Sequence, residues 1–128
     1  MKHKYLHELF PNGKLPFPYS EEDYNGFDKR DTYNMDYTLI MWLYERLRFF
    51  QEEVSEDIDM GEQLYMFGKE VLVDGERVTM RKCVDRMVED CKIIIFALSR
   101  ISEDWLIAET AKNDLFKVLS KVYWAMWW

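Results

Sequence analysis

Residues 31–54, DTYNMDYTLIMWLYERLRFFQEEV, decide the fold of this chain. Large apolar side chains recur through the stretch at helical spacing: Met35, Leu39, Trp42, Leu43, Leu47, Phe50 and Val54, flanked by Tyr33, Ile40 and Tyr44. This period predicts an amphipathic helix from about residue 32 to about residue 53, with Asp31 as its N-cap. Asp36 and Arg46 fall within the same apolar arc, about 15 Å apart along the axis. We therefore expect both charges to be buried and paired with other elements, because an unpaired buried charge is strongly destabilising.

The partners expected for these two charges lie on a second predicted helix. Arg81 and Arg86 are available to Asp36, and Asp85 and Glu89 are available to Arg46. Our candidate structural polar pairs are therefore drawn from Asp36, Arg46, Asp85 and Arg86.

A charged segment and a hairpin follow the first helix. The acidic residues of the segment are Glu52, Glu53, Glu56, Asp57 and Asp59, with Glu62 close behind. Asp74-Gly75 is a favoured two-residue hairpin turn, and it separates predicted strands over 69–73 and 76–79. Because an isolated two-stranded ribbon is only marginally stable, we expect the hairpin to pack on the helices.

Two more helices are predicted after the hairpin. The second runs from about residue 80 to 101, with Thr79 as its N-cap and an apolar stripe along one face. The stripe consists of Cys83 or Val84, Met87, Val88, Cys91, Ile94, Ile95, Leu98 and Ile101. Ser102 followed by two acids predicts the start of the third helix, which runs to about residue 126. Asn113-Asp114 is a candidate break within it.

Residues 1–30 contain three prolines among aromatic and aliphatic anchors. We interpret them as an irregular arm packed on the bundle, because disordered tails are poor in aromatics. The predicted fold is a single mainly α domain over residues 1–128. It is a compact three-helix bundle-like domain, with a small β-hairpin inserted between helix one and helix two.

Composition narrows the classes of function. The chain has 128 residues, 48% of them hydrophobic, and a net charge of -7, which argues against direct nucleic-acid binding and suits a basic partner. No apolar run is long enough for a membrane span, and we expect no signal peptide. Cys83 and Cys91 lie about 12 Å apart along one predicted helix. That distance disfavours a disulfide between them, so we expect reduced core thiols in a cytoplasmic protein.

Catalytic and metal-binding patterns are weak. His3 and His7 have the i, i+4 spacing of a metal pair, but two ligands do not make a site, and the sequence has no third histidine. Carboxylates that remain candidates for acid–base work or metal binding are Asp31, Asp36, Asp85, Glu89 and Asp90. Inward carboxylates of metal-binding bundles usually come with Glu-x-x-His pairs, which are missing here. We therefore predict no catalytic residues, no cofactor and no metal.

Two segments are candidate partner interfaces. The C-terminus carries Trp124, Trp127 and Trp128, which cannot all be buried on one narrow helix face. Either two pack on the core and one stays exposed, or they form a protein contact, where Trp is over-represented. The acidic residues Glu52, Glu53, Glu56 and Asp57 form either a solvated loop or a mimic of nucleic acid.

The order of several motifs resembles a family of small, uncharacterised tailed-bacteriophage proteins. The matching positions are Gly26-Phe27, Arg30-Asp31-Thr32-Tyr33-Asn34-Met35-Asp36, Arg46-Leu47 with Phe50, Asp85-Arg86-Met87, and Leu115-Phe116 with Met126-Trp127. The chain departs from the family pattern at Tyr33, Glu45 and Met80-Arg81, where Trp, Pro and Trp are usual. The resemblance implies phage origin and a small helical fold, and it implies no activity.

The function expected from these observations is non-enzymatic. The chain would be a phage accessory protein that binds and inhibits a host protein, such as an anti-phage defence component or CRISPR effector. A protein that binds or sequesters a nucleotide signal is an alternative, and a virion or replication component is another. A third is an enzyme acting through Asp31, Asp36 or Asp85. The aromatic content also makes a homodimer plausible.

Overall fold

The computed structural model describes residues 3–10, 35–54, 60–99 and 104–126. The described helices are α1 (Lys4–Leu9), α2 (Met35–Phe49), α3 (Met80–Leu98) and α4 (Trp105–Val122). A π-helical turn, Phe50–Val54, extends α2, and a 3-10 turn, Tyr123–Ala125, extends α4. Four short strands lie between α2 and α3: β1 (Tyr65–Met66), β2 (Lys69–Glu70), β3 (Leu72–Val73) and β4 (Glu76–Arg77). The prediction of a mainly α chain with a small hairpin insertion is confirmed.

The face that α2 buries matches the predicted one only in part. The predicted residues that are buried are Ile40, Leu43, Tyr44, Leu47 and Phe50. Met41 is fully buried and Tyr37 almost so, although neither belongs to the predicted stripe. Met35, Leu39 and Trp42, which do belong to it, are exposed. Apolar residues surround most of this helix, so its period alone cannot say which arc meets the core. Packing against α1 and α3 decides the rotation instead.

The expected burial of Asp36 and Arg46 is wrong. Asp36 is exposed in the first turn of α2, and Arg46 is exposed on the outward apolar arc. The predicted first three residues of this helix, together with its Asp31 cap, lie outside the described residues.

Two tight turns shape the insertion between α2 and α3. Asp74 and Gly75 have φ of 55° and 78°, as a type I′ hairpin turn requires, and join β3 to β4 as predicted. A second hairpin, which was not predicted, joins β1 to β2 through Phe67 and Gly68 with φ of 54° and 77°. A bulky aromatic is unusual in this left-handed conformation, so local residue preferences did not predict the turn.

α3 is the central helix and packs against both α2 and α4. Thr79 caps it as predicted, with its hydroxyl accepting from the Lys82 N–H at 3.2 Å. The predicted stripe is buried from Cys83 to Ile95, and both cysteines are free thiols within the core.

α4 begins two residues later than predicted, because Asp104 is the cap and accepts from the Ile107 N–H at 3.1 Å. Ser102, the predicted start, lies outside the described residues. The helix is continuous through Asn113-Asp114, so the predicted break there is wrong. Its buried face includes Ala111, Leu115 and Val118, which pack on the core.

The start of the chain is not wholly irregular, because α1 forms a short helix that packs on α2. Leu6 is fully buried there, and Arg48 Cζ lies 5.1 Å from the centre of the Tyr5 ring. Residues 11–30 of the predicted arm lie outside the described residues. None of the described helices is both long and apolar enough to cross a membrane.

Candidate functional site

An apolar groove runs between α2 and α4. Its wider part has a volume of about 550 Å³. The large exposed side chains along it are Leu39, Trp42, Phe49, Phe116 and Tyr123. Arg46 contributes the positive charge, with Cζ 5.1 Å from the centre of the Trp42 ring. The cation–π contact keeps this charge over an aromatic surface while it remains open to solvent.

A narrower part of about 290 Å³ continues the groove toward the N-terminal end of α2. The two parts share Leu39, Ile40 and Phe116, and buried residues of α3 form the floor of the narrow part. Asp36 lies at this end, opposite an exposed pair in which Lys112 Nζ is 2.7 Å from Glu109 Oε1. From Asp36 to Phe50 the groove follows α2 for about 21 Å, the length of roughly four helical turns.

The candidate polar residues do not meet as the sequence predicted. Asp85 accepts a hydrogen bond from Gln51 Nε2 at 2.6 Å, and Glu89 pairs with Lys92 at 3.2 Å, so the expected pairing of Arg46 with either acid is wrong. Arg86 is paired, but with Asp114 and Asp74, which the sequence predicted only as part of a helix break and of a hairpin turn.

Those partners form a charge network where α3, α4 and the β3–β4 turn meet. Arg86 Nε donates to Asp114 Oδ2 at 2.8 Å, and Arg86 Nη2 donates to Asp114 Oδ1 and to Asp74 Oδ2. Lys117 Nζ lies 2.6 Å from Asp74 Oδ1 and 3.6 Å from Asp114 Oδ1. Asp90, one of the candidate acids, is 9% exposed and adjoins Asp114. Apart from the i, i+3 pair of Asp114 with Lys117, the partners are 12 to 43 residues apart in the chain, so residue spacing did not predict this network.

The network shifts the pKa values of Asp90 and Asp114 in opposite directions. The Arg86 guanidinium holds the pKa of Asp114 well below its usual range. Burial, with Asp114 beside it, raises the pKa of Asp90 to about 8. Hydrogen bonding to Lys117 and Arg86 lowers the pKa of Asp74. Asp90 is thus the member that holds a proton near neutral pH.

The N-terminal histidine is structural. His3 Nδ1 lies 2.9 Å from Glu45 Oε2 in a pair whose side chains are each 11% exposed. His3 therefore connects the start of the chain to α2. Among the residues that the structure describes, no three His, Cys, Asp or Glu side chains are placed to hold a metal ion together.

The buried thiols are poor nucleophiles. Burial raises the pKa of both Cys83 and Cys91, which keeps them protonated. They pack in the core, which suits a structural role.

The two predicted interface segments are only partly described. Trp124 is exposed, and its ring meets those of Tyr123 and Phe67 edge-on at 5.1 and 6.5 Å. Glu52 and Glu53 are exposed, and Glu52 pairs with Arg48 at 2.9 Å. The other four predicted interface residues, Glu56, Asp57, Trp127 and Trp128, lie outside the described residues. Tyr123 also lines the groove, so the apolar surface continues from the groove toward Trp124.

Comparison with protein-family models, with curated proteins and with solved structures finds no match. The resemblance to tailed-phage proteins therefore stays a prediction.

Proposed function

We propose that this protein is non-enzymatic and acts by binding a partner protein in the groove between α2 and α4. The observation that carries the proposal is the row of exposed Leu39, Trp42, Phe49 and Phe116 along one continuous cleft. Contiguous exposed apolar patches with aromatic side chains are typical of protein-binding surfaces. The frame we infer is a three-helix bundle-like domain in which α2 and α4 flank α3.

The occupant we propose is an amphipathic helix of the partner. A cleft about 21 Å long between two helices matches about 14 residues of helix, with apolar anchors at i, i+3 or i+4, and i+7. Basic residues at the ends of that helix would be attracted to Asp36 at one end and Glu53 at the other, both of which are exposed. The net charge of -7 favours a basic partner in the same way.

The biological role we propose is that of a phage accessory protein in the host bacterial cytoplasm, which inhibits a host factor. An anti-phage defence component such as a CRISPR effector is a suitable target, because such proteins carry basic nucleic-acid sites that an acidic protein can occupy. Direct binding of nucleic acid by this chain is disfavoured by its charge.

The test is affinity capture from infected bacterial lysate, with the captured proteins identified by mass spectrometry. We compare the wild type with the double variant Trp42→Ala/Phe49→Ala and with the control Leu106→Ala, whose side chain is 78% exposed but lies outside the groove. The expected result is one stoichiometric host protein captured by the wild type and the control, and lost with the groove variant. Capture of the same protein by all three contradicts the assignment to the groove.

A small-ligand pocket is the second candidate, because a volume of about 550 Å³ lies within the range of small-molecule sites. A nucleotide would need cations for its phosphates, whereas Arg46 is the positively charged residue lining the wide part among the described residues. Absorbance near 260 nm after native purification, or a thermal shift with a panel of nucleotides, would favour this candidate over a protein partner.

A further inference from the structure

Asp90 lies where α3 packs against α4, and no cation of the described residues forms a direct ion pair with it. Asp90 lies on α3 and faces Asp114 and Lys117 of α4, while Arg86 and Cys91 approach it from its own helix. Asp74, on the β3–β4 turn, completes the network through Arg86 and Lys117.

The charges of this network balance without Asp90. Arg86 and Lys117 supply two positive charges, and Asp74 and Asp114 take both of them in direct ion pairs. An ionised Asp90 would therefore be a third negative charge at a site that is 9% exposed. A like charge beside Asp114, away from water, strongly favours the neutral form of one of the two acids.

The hydrogen bonds lead to the same conclusion. Oδ2 of Asp90 is shielded from solvent, and within the described residues no N–H or O–H group donates to it. Asp90 and Asp114 nevertheless line the same cavity, and the Asp114 carboxylate, itself an acceptor, raises the pKa of Asp90. Two carboxyl groups can hydrogen-bond only if a proton lies between them.

We propose that Asp90 and Asp114 hold one proton between α3 and α4, and that loss of this proton loosens the N-terminal half of α4. Beside the pair lies a cavity of about 380 Å³ lined by apolar side chains that include Ile93, Leu106 and Ile107. Repulsion between two ionised acids separates the helices at this point. The opposite side of the same half of α4 carries Trp105 and Ala108, which line the narrow part of the groove. Proton loss therefore changes the shape of the groove.

The direction of the pH effect follows from linkage. The pKa of Asp90 is about 8 in the folded protein and near its ordinary value of about 4 when unfolded, so between these values the folded chain binds more protons. The contribution of Asp90 to stability is largest at low pH and falls as the pH rises through this window. Above this pH window Asp90 is ionised in both the folded and the unfolded chain, and its contribution to stability stays constant.

The first test compares thermal unfolding of the wild type, Asp90→Asn and Glu89→Gln from about pH 5 to about pH 9. Asparagine can donate to Asp114 as the neutral acid does, without a proton to lose. Glu89→Gln is the matched control, because it removes an adjacent but exposed acid of the same helix. The melting temperature of the wild type and the control should decline relative to that of Asp90→Asn as the pH rises. Parallel profiles for all three proteins would overturn the proposal.

The second test needs no variant and no ligand. In the wild type, ¹³C NMR of the aspartate carboxyl carbons should show one group titrating near pH 8 and a partner already ionised well below its ordinary range. The ionised fraction of Asp90 rises about tenfold between pH 7 and pH 9. Hydrogen exchange in residues 105–114 should therefore accelerate by up to about tenfold, after correction for the intrinsic pH dependence of exchange. Titration of every aspartate near its ordinary pKa refutes the shared proton. Hydrogen exchange in residues 105–114 that does not change with pH refutes the loosening of α4. Neither readout depends on the proposed partner.

Discussion

Leu39 and Met41 provide a direct test of how α2 is turned. They are two residues apart on a helix, so they point to nearly opposite sides. Helical periodicity assigns Leu39 to the core, whereas the structure leaves it 53% exposed and buries Met41 completely. We compare Leu39→Gln with Met41→Gln, two substitutions that introduce the same polar side chain.

The expected free energies of unfolding differ clearly. Met41→Gln removes a fully buried side chain and places an amide in the core, which together cost about 3–5 kcal/mol. Leu39→Gln loses only the buried half of a leucine, about 1 kcal/mol. Urea denaturation measures the change in the free energy of unfolding for both variants. In thermal unfolding, about 1 kcal/mol corresponds to about 4 °C, so the melting temperatures of the two variants should differ by about 8 °C or more. A larger loss of stability in Leu39→Gln than in Met41→Gln would refute the rotation of α2 and, with it, the position of the groove.

Three further substitutions test local features by thermal or urea unfolding. Gly75→Ala should cost about 1 kcal/mol, because an added Cβ meets nothing within 4 Å but the φ of 78° is unfavourable for alanine. Thr79→Ala should cost about 1 kcal/mol through loss of the N-cap bond to the Lys82 N–H, and a circular dichroism melt should show it. His3→Ala should cost about 2 kcal/mol, because it removes a nearly buried partner of Glu45, and an unchanged midpoint would contradict that pairing.

Features that depend on neighbouring residues were predictable from the sequence. The Asp74-Gly75 turn and the Thr79 cap each rest on a preference of one or two residues for a backbone conformation or a local hydrogen bond. The stripe of α3 was predictable because that helix has distinct apolar and polar faces, so period and burial agree.

The features that were missed depend on distant residues or on competition between similar faces. Apolar residues occupy most of the circumference of α2, and nothing local distinguishes the arc around Met41 from the arc around Leu39. Arg86 and Asp114 are 28 residues apart, and His3 and Glu45 are 42 apart, so neither pair leaves a periodic trace. The candidate groove was missed for the same reason, since it exists only because α2 turns its second apolar arc outward.

The His3–Glu45 pair explains why that second arc faces outward. Glu45 is 9% exposed, and its carboxylate is held against α1 by His3 at 2.9 Å. Turning α2 to bury Trp42 and Arg46 would pull Glu45 away from this partner and would bring the Arg46 guanidinium into an apolar interior. Both changes are unfavourable, because a buried polar group that loses its hydrogen-bonding partner costs about 1–3 kcal/mol. One nearly buried hydrogen-bonded pair between the start of the chain and α2 therefore favours the rotation of the helix that leaves the aromatic groove open.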